Sequence, residues 1–311
     1  PKLLETEELL HDYTLSNVPI MQELLDHITG SRGKRLRPIL LLLSAGFRPA
    51  NDYLLIKAAA AVELIHTASL IHDDIIDESS ERRGRVTLNT GWGNSSAVLA
   101  GDFFFARAFE LLALCGDFEL NKLLTRAVST MCEGEIEQRN CSYNFQLTEE
   151  QYLRNIYRKT AALMEACCGS GARLSKLEDG ALQQLEAYGR NLGLAFQIID
   201  DVLDITGDPS ATGKPLGNDL REGIITLPLI YILQDPQWGT YLKEIIFEGD
   251  FSPASLEFFQ QPACIEGPVA KAVEKAASYA REARECLRDF ENNTSKTILE
   301  DITGYVLQRK K

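Results

Sequence analysis

Two apolar helical stretches end in the same acidic pattern, and this repeat restricts the fold more than any other feature of the chain. Asp73-Asp74-Ile75-Ile76-Asp77 follows Ala68-Ser69-Leu70-Ile71, and Asp200-Asp201-Val202-Leu203-Asp204 follows Ala195-Phe196-Gln197-Ile198-Ile199. Residues four apart share a helix face, about 6 Å apart along the axis. Asp73 with Asp77 and Asp200 with Asp204 are therefore carboxylate pairs on otherwise buried elements. Such pairs repel by up to a few kcal/mol at an effective dielectric of about 20, and carboxylates at a helix C-terminus also oppose the helix dipole. One copy reads equally well as an acidic helix end facing solvent. Two copies with such flanks require a compensating cation. Hard carboxylate oxygens suit Mg²⁺, which keeps waters and shares phosphate oxygens; Mn²⁺ is the expected substitute.

The rest of the sequence supplies helices to carry these pairs. Apolar and charged residues alternate with helical spacing over 3–28, and a buried helix starts at Pro38. Asn51 is placed to cap a long helix reaching Ile76. Further helices are expected over 95–114, 117–137 and 178–205. Thr148-Glu149-Glu150-Gln151 has the form of a capping box. Glycine and proline fill 206–223, and shorter helices follow from Ile225. No convincing strand periodicity appears. The expectation is an all-α chain, 1–311 forming a single large helical bundle.

Composition narrows the partners. A net charge of −13 argues against nucleic acid. Seven dispersed cysteines form no CxxC pair and read as reduced core thiols of a cytoplasmic protein. No signal-peptide pattern opens the chain, and no stretch is read as long and apolar enough to span a bilayer; the longest apolar run is Pro38–Ala45.

The cations complement the aspartates. Lys34, Arg35 and Arg37 precede a buried helix, Arg82-Arg83 follow the first acidic motif, Lys159-Thr160 lie mid-helix, and Lys214 sits in the glycine-rich loop. Each alone is an ordinary surface charge; together with the aspartates they suit two diphosphates. His66 lies two turns before Asp73 on the same face, and Gln197 falls on the second acidic stripe.

These motifs resemble the trans-isoprenyl diphosphate synthases, the family of farnesyl, geranylgeranyl and long-chain polyprenyl diphosphate synthases. The resemblance rests on Gly33-Lys34-Arg35-Leu36-Arg37-Pro38, on 66–85, Gly101-Asp102, Lys159-Thr160, 196–204 and 213–228. It implies a helical bundle around a deep central cavity, usually dimeric. It implies an isopentenyl diphosphate site at Lys34, Arg37, His66 and Arg83. The allylic diphosphate site it implies comprises Arg82, Lys159, Thr160, Gln197 and Lys214. Asp73 and Asp77 would hold metal, with a further ion on Asp200 supported by Asp204. Asp73, Asp77, Asp200 and Lys159 are the catalytic candidates. The implied reaction is ionisation of the allylic diphosphate, condensation with isopentenyl diphosphate and loss of a proton, within an apolar cavity that excludes water. The partners implied are a second copy or a small regulatory subunit, and the product is one that could be handed to a membrane.

Three departures stand out. Arg32 precedes Gly33-Lys34 where the family often has glycine; Ile224 stands where a lysine is frequent; Val86 replaces a frequent proline. Short-product members carry an aromatic residue near the positions of Ala68 and Ser69. Both are small here, so the expected product is hexaprenyl to decaprenyl diphosphate, with the floor set deeper, at Leu64, Ile65 or one of Phe103–Phe105. The alternatives are a geranylgeranyl or farnesyl synthase, and the catalytic subunit of a heteromeric long-chain synthase. A scaffold subunit without chemistry is disfavoured by the intact aspartates. A terpene cyclase or head-to-head synthase is disfavoured by the Gly33–Pro38 motif.

Overall fold

A computed structural model describes residues 1–30, 33–207 and 217–309. Its elements are α1 (Lys2–Tyr13), α2 (Pro19–Thr29), α3 (Leu36–Ser44), α4 (Asp52–Ile76), α5 (Leu88–Trp92), α6 (Asn94–Cys115), α7 (Phe118–Asn140), α8 (Glu149–Ile156), α9 (Ala162–Leu174) and α10 (Asp179–Thr206). Beyond the second motif come α11 (Asn218–Arg221), α12 (Leu227–Gln234), α13 (Trp238–Glu248), α14 (Pro253–Leu256), α15 (Pro262–Cys264), α16 (Ala270–Cys286) and α17 (Thr294–Gln308). The expected all-α class holds. Among the described residues, the one β-ladder is a hairpin pairing Glu81–Arg82 with Arg85–Val86.

The chain divides into two compact units. One comprises Pro1–Val128 and Ala166–Glu186, the other Ser129–Glu165 and Ala187–Lys311. In the first unit, α4 is the central element, packed by α1, α3 and α6. The Asn51 side chain accepts from the Tyr53 N–H, as expected of a cap. Residues 58–62, four alanines and Val62, are fully buried, so neighbouring backbones approach closely. Gly171 on α9 makes such an approach possible to α3, since a Cβ there would lie 2.1 Å from the Leu41 carbonyl oxygen. Contrary to expectation, α4 is long and apolar enough to cross a membrane by length and composition. Two-thirds of its most apolar stretch is buried within the protein, which accounts for the composition as that of a core helix.

In the second unit, the Thr148 capping box forms as read: Thr148 Oγ1 accepts from the Gln151 N–H, and Gln151 Oε1 from the Thr148 N–H. The buried Tyr188 hydroxyl donates to the Leu299 carbonyl at 2.8 Å, tying α10 to α17. Lys296 turns its ammonium inward onto the Arg288 and Phe290 carbonyls, at 3.1 and 2.8 Å.

Two elements differ from the sequence reading. The periodic stretch 3–28 is two helices, because Pro19 starts a new one at its first turn. Between α8 and α9, residues Tyr157–Ala161 form a π-helical turn. A π turn is wider than an α turn, and its neighbours are glycines. A Cβ on Gly134 would lie 2.6 Å from Arg158 Cβ, and one on Gly193 would lie 2.5 Å from Ala161 Cα.

Candidate active site

In the first unit, α4 presents Asp73 and Asp77 in a half-buried position, and the Asp77 N–H donates to the Asp73 carbonyl at 2.8 Å. The middle residue, Asp74, is turned elsewhere. It is buried, and its Oδ1 accepts from Arg82 Nε at 2.7 Å. Arg82 stands on the hairpin, whose central residues Arg83 and Gly84 have φ 53° and 73°. Two positive φ angles make a tight hairpin turn, and they set Arg83 at its tip. Gly33 leaves room for the Arg83 guanidinium, since a Cβ there would come within 3.0 Å of Nη1. The glycine before Lys34 thus has a steric reason that its sequence context did not reveal.

Arg37 Nη1 donates to His66 Nε2 at 2.9 Å. That contact makes Nε2 the acceptor, so Nδ1 carries the proton of the neutral ring. Burial holds the imidazole well below its usual range, and the charges of Arg37, Arg83, Arg82 and Arg35 push it the same way. Four of the five sequence-predicted cations in this unit thus act on, or converge with, His66. A cavity of about 120 Å³ collects Arg35, Glu63, His66, Asp74, Arg82 and Arg83 with the apolar Leu64, Leu70, Ile71 and Phe104. Lys34 is exposed beside it in sequence. Of the residues assigned to chain length, Ala68 is fully buried and Ser69 donates its hydroxyl to the His66 carbonyl. Neither lines this cavity, whereas Leu64 and Phe104, from the set expected to form the floor, do.

The neutral state of His66 has a measurable consequence. Its folded pKa lies below the unfolded 6.5, so its contribution to stability is present above pH 6.5 and is lost as pH falls toward the folded value. A His66→Gln variant is therefore expected to lose less stability than the parent on acidification from pH 7 to 5, read by urea titration at each pH. Parallel pH profiles would contradict the neutral assignment.

In the second unit, α10 carries the other acidic motif. Asp200 Oδ1 makes an ion pair with Arg309 Nη1 at 2.7 Å, and the Arg309 guanidinium lies 4.2 Å from the centre of the Phe196 ring. The two carboxylate oxygens of Asp204 accept the backbone N–H groups of Asn218 and Asp219, at 3.1 and 3.2 Å. Asp201 is again the buried middle residue. It accepts from the Tyr152 hydroxyl at 2.5 Å and from Gln197 Nε2 at 2.8 Å, and Gln197 Oε1 accepts from Thr160 at 2.7 Å. Burial and the carboxylates of Asp219 and Asp200 push Asp201 upward, against the Tyr152 and Gln197 hydrogen bonds. Lys159, on the π turn, pairs with Glu135 at 3.2 Å. A pocket of about 60 Å³ brings together Tyr152, Lys159, Gln197, Asp201, Asp219 and Ile224. The methyl groups of Ile224 stand there in place of the frequent lysine. Lys214 and Arg32 lie outside the described residues.

Among the described residues, no three carboxylate, imidazole or thiol groups converge as a metal cage. Mg²⁺ does not need one: it takes one or two carboxylates and fills its octahedron with water and phosphate oxygens. Asp73 and Asp77 fit that donor set, being partly exposed carboxylates one turn apart. Asp200 fits once its ion pair with Arg309 is exchanged. Asp204, with both oxygens on backbone N–H groups, fits a supporting role.

The Polyprenyl synthetase family model matches residues 18–259. The chain is 35% identical to heptaprenyl diphosphate synthase component 2 of Geobacillus stearothermophilus, over 99% of this chain and 95% of that one. It superposes on the polyprenyl synthase of Caulobacter crescentus, solved with calcium and isoprenyl diphosphate, with TM-score 0.93 and 36% identity, covering 100% of this chain and 95% of that one. The decaprenyl diphosphate synthase of Rhodobacter capsulatus matches with TM-score 0.90 and 35% identity, covering 100% and 96%.

Proposed function

The chain belongs to the polyprenyl synthetase family, and from this premise we propose that it condenses an allylic diphosphate with successive isopentenyl diphosphates to give a long-chain all-trans polyprenyl diphosphate. One observation carries the reading most directly: in both acidic motifs the outer aspartates are held apart from a buried middle one, which fixes a cationic or polar partner, Arg82 or Gln197.

The residue roles follow from chemistry. Lys34, Arg37, His66 and Arg83 bind isopentenyl diphosphate, with neutral His66 adding a hydrogen-bond donor but no charge. Arg82, Lys159, Thr160, Gln197 and Lys214 bind and orient the allylic diphosphate. Asp73, Asp77 and Asp200 hold divalent metal, Mg²⁺ or Mn²⁺, with Asp204 in support. When bound, the metal supplies electrostatic stabilisation of the departing diphosphate. Apolar side chains around the charged rim keep water from the allylic cation, and the released diphosphate takes the proton.

A hexaprenyl to decaprenyl product suits a quinone side chain. All seven cysteines are free thiols, which supports a cytoplasmic setting; contrary to the expectation of core thiols, Cys132 is exposed and Cys141 and Cys286 are half-buried. The Geobacillus relative is by name one component of two, which supports a heteromeric alternative. The exposed Val98, Leu99, Phe109, Leu114 and Phe118 along and just beyond α6 support a second copy as partner. The deciding experiment supplies isopentenyl and farnesyl diphosphates to the purified protein alone. The expected result is a product ladder ending between C30 and C50; a product no longer than geranylgeranyl diphosphate would overturn the long-chain reading. No turnover alone but turnover with a small partner subunit would establish the heteromer.

A further inference from the structure

We propose that Glu7 and Arg35 are positioning residues for isopentenyl diphosphate, a proposal that rests on the functional reading above. Arg35 is the middle cation of Lys34-Arg35-Leu36-Arg37, and the roles assigned to that motif use only its neighbours. Its guanidinium is committed to carboxylates. Nε and Nη2 donate to the two oxygens of Glu7, at 2.5 and 3.2 Å, and Nη1 donates to Glu63 at 2.7 Å. Glu7 comes from α1 and Glu63 from α4, so a single side chain fastens the cationic segment to two helices. Glu63 is buried, with 7% of its side chain exposed, and the Arg35 side chain is 18% exposed. A forked Arg–carboxylate pair in such surroundings fixes geometry as well as charge.

The fastening has something to hold. Arg35 has φ 53° and ψ 32°, the left-handed conformation, at the start of α3. That conformation is unfavourable for a residue that carries a Cβ, which crowds the following carbonyl oxygen, and it persists only where surrounding contacts enforce it. The turn it makes separates exposed Lys34 from Arg37, which reaches His66. The two carboxylates also neutralise Arg35, as Asp74 does Arg82, within a group of four guanidiniums acting on one imidazole. Glu7 lies before residue 18, where the family match begins. The inference therefore gives the first helix a part in substrate binding without contact with substrate.

The test compares steady-state constants for both substrates. Glu7→Gln keeps the shape and removes the charge; Arg35→Lys keeps the charge and removes the fork. Both are expected to raise KM for isopentenyl diphosphate about tenfold, equivalent to about 1.4 kcal/mol. Turnover number and KM for the allylic diphosphate should stay within about twofold. Glu8→Gln, an exposed neighbour on the same helix, controls for net charge and should match the parent. Direct calorimetric titration with isopentenyl diphosphate should show the same weakening without turnover. An unchanged KM for isopentenyl diphosphate in both variants, or equal rises for both substrates, would overturn the inference alone. A parent protein that makes no product from isopentenyl and farnesyl diphosphates, either alone or with a small partner subunit, would overturn the functional reading and this inference together. If Glu7→Gln fails to fold, Arg35→Lys decides by the same constants.

Discussion

Asp73→Ala is expected to lower turnover by about a thousandfold, roughly 4 kcal/mol of transition-state stabilisation, while circular dichroism and the melting profile stay those of the parent. The fold should tolerate the change because Asp73 is only partly buried at the last turn of α4, where its charge opposes the helix dipole. The chemistry should not tolerate it, because in the proposed reading the carboxylate pair with Asp77 is the donor set for the ion that meets charge developing on the leaving diphosphate. Asp73→Glu, which keeps the carboxylate but moves it, should recover part of the loss at raised Mg²⁺. Chelation of divalent ions should abolish turnover of the parent enzyme. Near-native turnover of a folded Asp73→Ala protein would remove this residue from the metal site.

Asp201→Ala should have the opposite signature, with stability lost first. The buried carboxylate is the acceptor for Tyr152 and Gln197. Removing it leaves the buried Tyr152 hydroxyl and the half-buried Gln197 amide without their acceptor, at about 1–3 kcal/mol for the buried one, so a melting temperature lower by roughly 5–10 °C is expected. Gln197 would also lose the partner that orients its amide toward Thr160, and KM for the allylic substrate should rise. Asp201→Asn separates these effects, since an amide oxygen still accepts from Tyr152. The folded protein holds the Asp201 carboxyl above its usual range. The parent therefore loses stability as pH rises from about 4 through the folded value, and the Asn variant gains relative to it over that window. Thermal melts at several pH values measure this directly. An Asn variant that loses ground as pH rises would refute the assignment.

Much of this was legible in the sequence, and what was missed has a common cause. The Asn51 cap, the Thr148 box and the i,i+4 aspartate pairs depend on residues within one turn of each other, so local spacing is enough to find them. The middle aspartates were ambiguous by type but not by angle: about 100° per residue turns Asp74 and Asp201 off the faces of their neighbours. Pairings such as Arg35 with Glu7, Asp201 with Tyr152 and Asp200 with Arg309 join distant segments, and no periodicity reports them. The hairpin carrying Arg82 and Arg83 escaped the search for strand periodicity, because four residues are too few to show a strand's alternation. The apolar character of α4, whose bounds were expected, was underestimated because Lys57, Glu63 and His66 interrupt its run of apolar residues.

The π turn at Tyr157–Ala161 bears on how this region can vary in length. A turn of that kind holds one residue more than an α turn, and it places Lys159 and Thr160 against Glu135 and Gln197. Deleting one residue there would let an uninterrupted α-helix form with the flanking segments nearly in phase, because four residues at about 100° each turn about as far as five in the wider turn, but the residues of the turn itself would be re-aimed. Lys159 and Thr160 could not then both keep their partners, and Gly134 and Gly193 would face a narrower helix across an unfilled gap. A one-residue gap in this segment therefore describes a change in the geometry of the candidate site rather than a neutral indel, even though it leaves the helix count unchanged.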